Sequence, residues 1–221
     1  MSKRVTIIHT VPTLEPVFRR LGEELLPGVE QEHVIDQSLL QDAITSGGLT
    51  PSISERLASH IRDAEASGTD AILVTCSSVG AATEQAAAST SVPVLRVDEP
   101  MVVEAVRSGR RVGVLATLSS TLDPTADLVR RVAAREGRDV EVVPRVVDGA
   151  FDALRAGDVD RHDALVRDAF DELQSDVDVV LLAQASMARV VDSMPAAERR
   201  VPVLSSPRLG VERLAEAVMA A

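Results

Sequence analysis

Short runs of Val, Ile and Leu recur along this chain, separated by longer stretches whose apolar residues return every three or four positions. RVTIIH from Arg4, AILVT from Ala71, RVGVLA from Arg111 and DVVLLA from Asp178 are nearly continuous in apolar character. Strands of that kind are buried on both faces, as in a parallel sheet covered by helices. The pattern predicts strands near residues 4–9, 32–35, 71–75 and 93–97, then 111–116, 140–144, 178–183 and 201–204. Helices are predicted over 15–26, 52–67 and 79–89, then 124–136, 158–174 and 187–194, with two more over 101–108 and 207–220. Ser52 and Glu55 have the spacing of a capping box at the 52–67 helix, just after Pro51. The polar stretch from Asp36 to Gly47-Gly48 reads as a mobile lid.

The chain repeats itself. Arg4-Val5 and Thr10 return as Arg111-Val112 and Thr117, 107 positions on, and Thr13-Leu14-Glu15-Pro16 returns as Thr121-Leu122-Asp123-Pro124 at 108. Asp42-Ala43-Ile44 with Gly47 returns as Asp152-Ala153-Leu154 with Gly157 at 110, and Val92-Pro93-Val94-Leu95 as Val201-Pro202-Val203-Leu204 at 109. Four matches in one order at nearly one offset imply two homologous halves. The expected architecture is α/β, with two pseudo-symmetric flavodoxin-like lobes of about four parallel strands each and an active-site cleft between them. Residues 1–98 with 207–221 would form the first lobe, the terminal helix returning to it, and 99–206 the second.

Composition narrows the function classes. A net charge of -11 and a pI near 4.8 argue against nucleic acid, which needs a basic face, and with no Trp or Tyr there is no stacking platform. No apolar run approaches the 18 or so residues of a membrane span, and the start lacks a signal-peptide core, so a cytoplasmic protein without membrane partners is expected. One cysteine excludes an internal disulfide, and the four histidines are scattered, so neither a metal site nor a cofactor is called for. A homo-oligomer would be unsurprising, though no motif specifies one.

In parallel sheets, ligands gather beyond the carboxyl ends of the strands, where helix N-termini present unpaired N–H groups. Those ends carry His9-Thr10, Thr75-Cys76-Ser77-Ser78, Thr117 to Ser120, and Gln184-Ala185-Ser186. Thr10, Ser77, Ser78, Thr117, Ser120, Ala185 and Ser186 are therefore the candidate substrate-binding residues. Hydroxyls and N–H donors suit a small carboxylate and the enediolate formed when a proton or CO2 leaves its α-carbon. Cys76, a thiol at a helix N-terminus with an expected lowered pKa, is the candidate proton carrier or nucleophile. His9 could assist or serve structure; His33 reads as a strand residue, and His60 and His162 as solvated helix positions. Arg19-Arg20, Arg130-Arg131 and Arg199-Arg200 read as surface charge, Met187 to Val191 as a packing face, and Asp36 and Asp148 as turn openers that could border the cleft.

The duplicated lobes, a cysteine followed by two hydroxyl residues after the third strand, and the ATxxS pattern from Ala116 to Ser120 resemble the aspartate/glutamate racemase superfamily, which includes hydantoin racemases, maleate isomerases and arylmalonate decarboxylases. The resemblance spans essentially the whole chain. It implies two opposed cysteines, one per lobe, working without metal or cofactor in the racemising members. By the 109 offset Cys76 matches the first and Ala185 stands in place of the second. Two-base racemisation needs a proton carrier on each face, and a methyl group is none. The sequence thus leaves open a racemase-type or cis-trans isomerase working with one cysteine, an arylmalonate-type decarboxylase with Cys76 as proton donor, and a non-catalytic carboxylate-binding protein.

Overall fold

The computed structural model describes residues 3–220. Its eight strands form two separate four-stranded sheets, every pairing in them parallel. The first holds β1 (Arg4–His9), β2 (Glu30–Ile35), β3 (Ala71–Val74) and β4 (Val94–Arg96) in the order β2-β1-β3-β4. The second holds β5 (Arg111–Ala116), β6 (Glu141–Val146), β7 (Val179–Leu182) and β8 (Val203–Ser205) in the order β6-β5-β7-β8. Both are flavodoxin-like, with a switch point between the first and third strands, where adjacent connections leave to opposite faces and open a crevice. By contacts the chain divides into two compact units, one of residues up to 100 together with those from 207 on, the other Met101–Ser206.

Side-chain alternation along each strand feeds a core on either face. In the first unit Ile8, Ile72 and Val74 pack with α2 (Gln37–Thr45), α3 (Pro51–Ala66) and α4 (Gly80–Ala87) through Leu39, Ala43, Leu57, Ile61 and Ala82. Val5, Ile7, Ala71 and Leu73 face the other way, onto Phe18 of α1 (Glu15–Leu25) and onto Val211, Leu214 and Val218 of the final helix, Ser206–Ala220. Beginning at α5 (Glu99–Ser108) the chain enters the second unit. There Leu115, Val180 and Leu182 pack on Val166, Phe170 and Leu173 of α8 (Val159–Leu173) and on Val190 and Val191 of α9 (Ala188–Asp192), within the predicted packing face. The remaining helices are α6 (Ser119–Arg135) and α7 (Ala150–Arg155), and the final helix is α10. Among the described residues no helix is long and apolar enough to cross a membrane.

Three local expectations are corrected. The stretch predicted as a lid is mostly helix: Asp36 caps α2 by accepting from the Ser38 N–H, and Leu39 and Ala43 are buried against the sheet. Its apolar residues at 39, 40, 43 and 44 already have helical spacing. The repeated Asp-Ala-Ile/Leu triplet lies in α2 and α7, so the repeat marked a helix in both copies. Second, α3 starts at Pro51 and its cap is Thr50, whose hydroxyl accepts from Ile53 N–H at 3.4 Å, displacing the Ser52–Glu55 box. Proline is favoured at the first helical position and forces its predecessor into the extended conformation a cap requires. Third, α6 begins at Ser119, five residues before Pro124, which sits inside it.

Candidate active site

Cys76 follows β3 at the switch point. Its backbone is extended (φ -134°, ψ 113°) and leads into a 3-10 turn, Ser77–Val79, that runs on into α4. Thr10 follows β1 directly, so the adjacency of β1 and β3 brings the Thr10 hydroxyl to the sulfur. The N–H groups of Ser78 and Val79 and the Ser78 hydroxyl reach the sulfur too. Thr10, Ser77 and Ser78 are buried, while Cys76 is half-buried and packs on Val79 and its neighbours. Burial pushes the thiol above its ordinary value of 9.0 and outweighs the donors from Thr10, Ser78 and Val79 that pull it down. The sequence-level expectation of a lowered pKa is therefore corrected: desolvation of the thiolate exceeds the stabilisation from the N-terminal N–H groups. At neutral pH the sulfur carries its proton.

The second sheet repeats this corner with different chemistry. Thr117 follows β5, and β7 leads into a 3-10 turn, Ala185–Met187, whose preceding residue is Gln184 (φ -124°, ψ 135°). Strand register shows which residue matches Cys76. The N–H of Thr75 donates to Ile8 O at 3.0 Å and that of Ala183 to Leu115 O at 2.9 Å; the Val79 N–H donates to Cys76 O at 3.3 Å and that of Met187 to Gln184 O at 3.1 Å. With Ile8 and Leu115 equivalent, the third strands and the turns after them correspond at an offset of 108, so the counterpart of Cys76 is Gln184. The assignment of Ala185 to that place is corrected. The offset of 109 belongs to β4 and β8, one residue further out of step, because the halves differ by an insertion between the third and fourth strands.

Side chains confirm the match. As Thr10 meets Cys76, Thr117 meets Gln184: the Thr117 N–H donates to Gln184 Oε1 at 2.7 Å, and Gln184 Nε2 donates to Thr117 Oγ1 at 2.8 Å. Ala185 and Ser186 lie half-buried in the following turn. The extended Leu118 makes no side-chain cap for α6; its carbonyl accepts from the Thr121 N–H at 3.1 Å, and the N–H groups of Ser119 and Ser120 have no partner among the described residues. Ser120 lies in this first turn with its Oγ buried and without a hydrogen-bond partner. Pro124, four residues on, has no N–H for the Ser120 carbonyl, which loosens the same turn.

Three polar clusters support these corners, none predicted in full. His9 is buried and stacks on His33 at 5.2 Å, its Nε2 2.9 Å from His33 Nδ1 and its Nδ1 3.1 Å from Thr75 Oγ1. Because the Thr75 hydroxyl donates to Ile8 O, the pattern assigns Nδ1–H of His9 as donor to Thr75 and Nε2 as acceptor from His33. Burial, then the neighbouring His33, lowers the His9 pKa from 6.5 to about 4, which makes it a neutral structural residue. Arg96, ending β4, is 4 % exposed and bonds Asp98 through two nitrogens at 2.9 and 2.8 Å and Glu84 of α4 at 2.6 Å. Its guanidinium lies so close under Gly80, the first residue of α4, that a Cβ there would come within 2.3 Å of it. The cluster thereby clamps the helix that follows Cys76.

In the second unit His162 is fully buried, contrary to the solvated position predicted, and its Nδ1 lies 2.8 Å from Asp163. Asp163 in turn takes two bonds from Arg189 of α9, at 2.5 and 2.6 Å. His60 is half-buried on Asp36 at 2.9 Å, so Asp36 joins α2 to α3. The arginine pairs 19-20, 130-131 and 199-200 are exposed, as their charge suggested.

Two flavodoxin-like sheets, each with a hydroxyl and a helix N-terminus at its switch point and one of them with a thiol there, define a duplicated α/β protein. The chain belongs to the Asp/Glu/hydantoin racemase family, whose profile matches residues 5–214. Among solved structures it resembles glutamate racemase from Thermus thermophilus in complex with β-chloro-D-alanine, at 20% identity and TM-score 0.70, covering 99% of this chain and 81% of that one. It resembles aspartate racemase from Picrophilus torridus at 16% identity and TM-score 0.71, covering 99% and 93%. A glycine-to-cysteine mutant of arylmalonate decarboxylase in a sulfate-associated form shares the fold at 19% identity and TM-score 0.64, covering 99% and 94%. Among curated proteins none matches the chain.

Proposed function

We propose that this protein catalyses cofactor-independent proton transfer at the carbon α to the carboxylate of a small acid, with Cys76 as the one group that carries the proton. The observation that carries the reading is the broken symmetry: a protonated thiol after β3 and, in the equivalent place after β7, the amide of Gln184, which neither gives nor takes a proton near neutral pH. Thr10, Ser77 and Ser78 in the corner of Cys76, and Thr117, Ser120 and Ser186 with the first N–H groups of α6 in the corner of the second unit, are the candidate donors to a carboxylate and its enediolate. Membership in the racemase family and the likeness to the aspartate and glutamate racemases support the substrate class.

A thiol that rests protonated favours delivery over abstraction. The reaction that needs a single delivery is loss of CO2: the bond between the α-carbon and a carboxylate breaks, its electron pair enters the enediolate, and the S–H proton passes to that carbon, with solvent then restoring the thiol. The likeness to arylmalonate decarboxylase supports this outcome beside the isomerase-type outcome suggested by the racemases.

The test is a panel of small mono- and dicarboxylates, malonates included, incubated in D2O and followed by NMR for α-deuteration, isomerisation and CO2 loss. Wild type is expected to label the α-carbon of at least one acid, and Cys76→Ala to lose that activity by about a hundredfold or more. Full activity in Cys76→Ala refutes the assignment, and tight binding of an acid with no deuterium entering it would mark a binding protein instead.

A further inference from the structure

We infer that Gln184 is a positioning residue that holds the Thr117 hydroxyl as a hydrogen-bond donor to a bound carboxylate, a step that rests on the carboxylate reading above. The orientation of its amide follows from chemistry. The Thr117 N–H can only donate, so the atom 2.7 Å from it is the amide oxygen, and the atom 2.8 Å from Thr117 Oγ1 is therefore the NH2 group. That NH2 donates into a lone pair of Oγ1. The hydroxyl keeps its own hydrogen, for which no acceptor is present among the described residues.

In the first sheet the equivalent hydroxyl is used differently, since that of Thr10 is directed to the sulfur of Cys76. Two residues in matching places thus have divided roles: the Thr10 proton serves the thiol, and the Thr117 proton is left for a ligand. The uncapped first turn of α6 begins two residues on, and the unpartnered Ser120 Oγ is buried within it, so further donors follow Thr117 at the end of β5. Gln184 occupies the Thr117 N–H as well, which leaves the hydroxyl as that residue's contribution to binding.

Gln184→Glu reverses the arrangement while keeping its shape. Both carboxylate oxygens accept, so one retains the Thr117 N–H and the other takes the hydroxyl hydrogen away from the ligand. Affinity for malonate and for L-glutamate, measured by titration calorimetry on the full chain, is expected to fall about tenfold or more in Gln184→Glu and likewise in Thr117→Val. Combined, the two substitutions are expected to do no more than Thr117→Val alone, since one acts through the other. Gln184→Met, which removes both bonds without adding charge, is expected to cause a smaller loss that also vanishes in the Thr117→Val background, so the result stands even if the glutamate variant folds poorly. Affinity within twofold of wild type in Gln184→Glu and Gln184→Met, or a loss from Gln184→Glu that persists in Thr117→Val and so reflects bare charge repulsion, overturns the inference alone. Failure of folded wild type to bind either acid overturns the carboxylate reading, and this inference with it.

Discussion

Acid should weaken this protein in a window set by His9. The residue is fully buried, its ring tilted against Phe18 at 5.5 Å and stacked on His33, with Glu15 and Arg19 as the charged groups acting on it. Desolvation lowers its pKa to about 4, against 6.5 for an ordinary histidine. The unfolded chain therefore binds this proton more readily than the folded one, and stability falls as pH drops from about 6.5 towards 4. A gap of this size corresponds to about 3 kcal/mol in full, of which about 2 kcal/mol is lost between pH 7 and pH 5. The paired carboxylates, whose values lie below the ordinary Asp range, contribute only at lower pH. His9→Gln keeps a side chain able to bond Thr75 and His33 but removes the titration. Urea unfolding followed by circular dichroism, the suitable probe for a chain with no Trp or Tyr, should show wild type losing about 2 kcal/mol more than the variant from pH 7 to pH 5. Equal losses in the two proteins would show that protonation of His9 is not opposed by the fold.

Removing one partner of a buried ion pair leaves the other charge stranded, so Arg96→Met, which isolates the fully buried Asp98, is expected to destabilise the protein by about 3–5 kcal/mol, with far less loss when Asp98→Asn is added; equal losses in the single and double variants would contradict the pairing. Because burial raises the Cys76 thiol above 9.0, its iodoacetamide labelling rate should climb throughout pH 7 to 9 without reaching a plateau, and Thr10→Val, which removes a donor, should slow labelling at any pH in that range. A plateau below pH 8 would show that the helix N-terminus outweighs burial after all.

What the sequence by itself determined is the part that depends on local pattern and repetition. Continuous apolar runs specify strands buried on both faces, and a repeat at a nearly constant offset implies two copies of one unit; both sheets follow from that. The placement of Thr10, Cys76, Ser77, Ser78, Thr117 and Ser120 at strand ends follows too, because a parallel strand delivers its last residues to one edge. The supporting clusters were not legible in the same way. Arg96 and Asp98 are two residues apart on an unremarkable strand end, and only the approach of α4 through Gly80 buries their charges. His162 sits at a helix position that reads as solvated, and it is covered because α8 turns that side inward and Asp163 takes its ring nitrogen. The helix in place of the lid, by contrast, was legible in the spacing of Leu39, Leu40, Ala43 and Ile44, and the core face supplies contacts for Leu39 and Ala43.

The decisive difference concerns one residue. The Val-Pro-Val-Leu repeat at an offset of 109 matches Ala185 with Cys76, whereas the hydrogen bonds of β1 to β3 and of β5 to β7 make Gln184 its equivalent. Sequence similarity counts positions and cannot tell on which side of a strand an insertion falls; strand register can, because each N–H must meet one carbonyl and a slip of one residue would turn every side chain to the opposite face. Chain order thus settled which residues end the strands, and the tertiary pairing of strands settled which side chains share each corner.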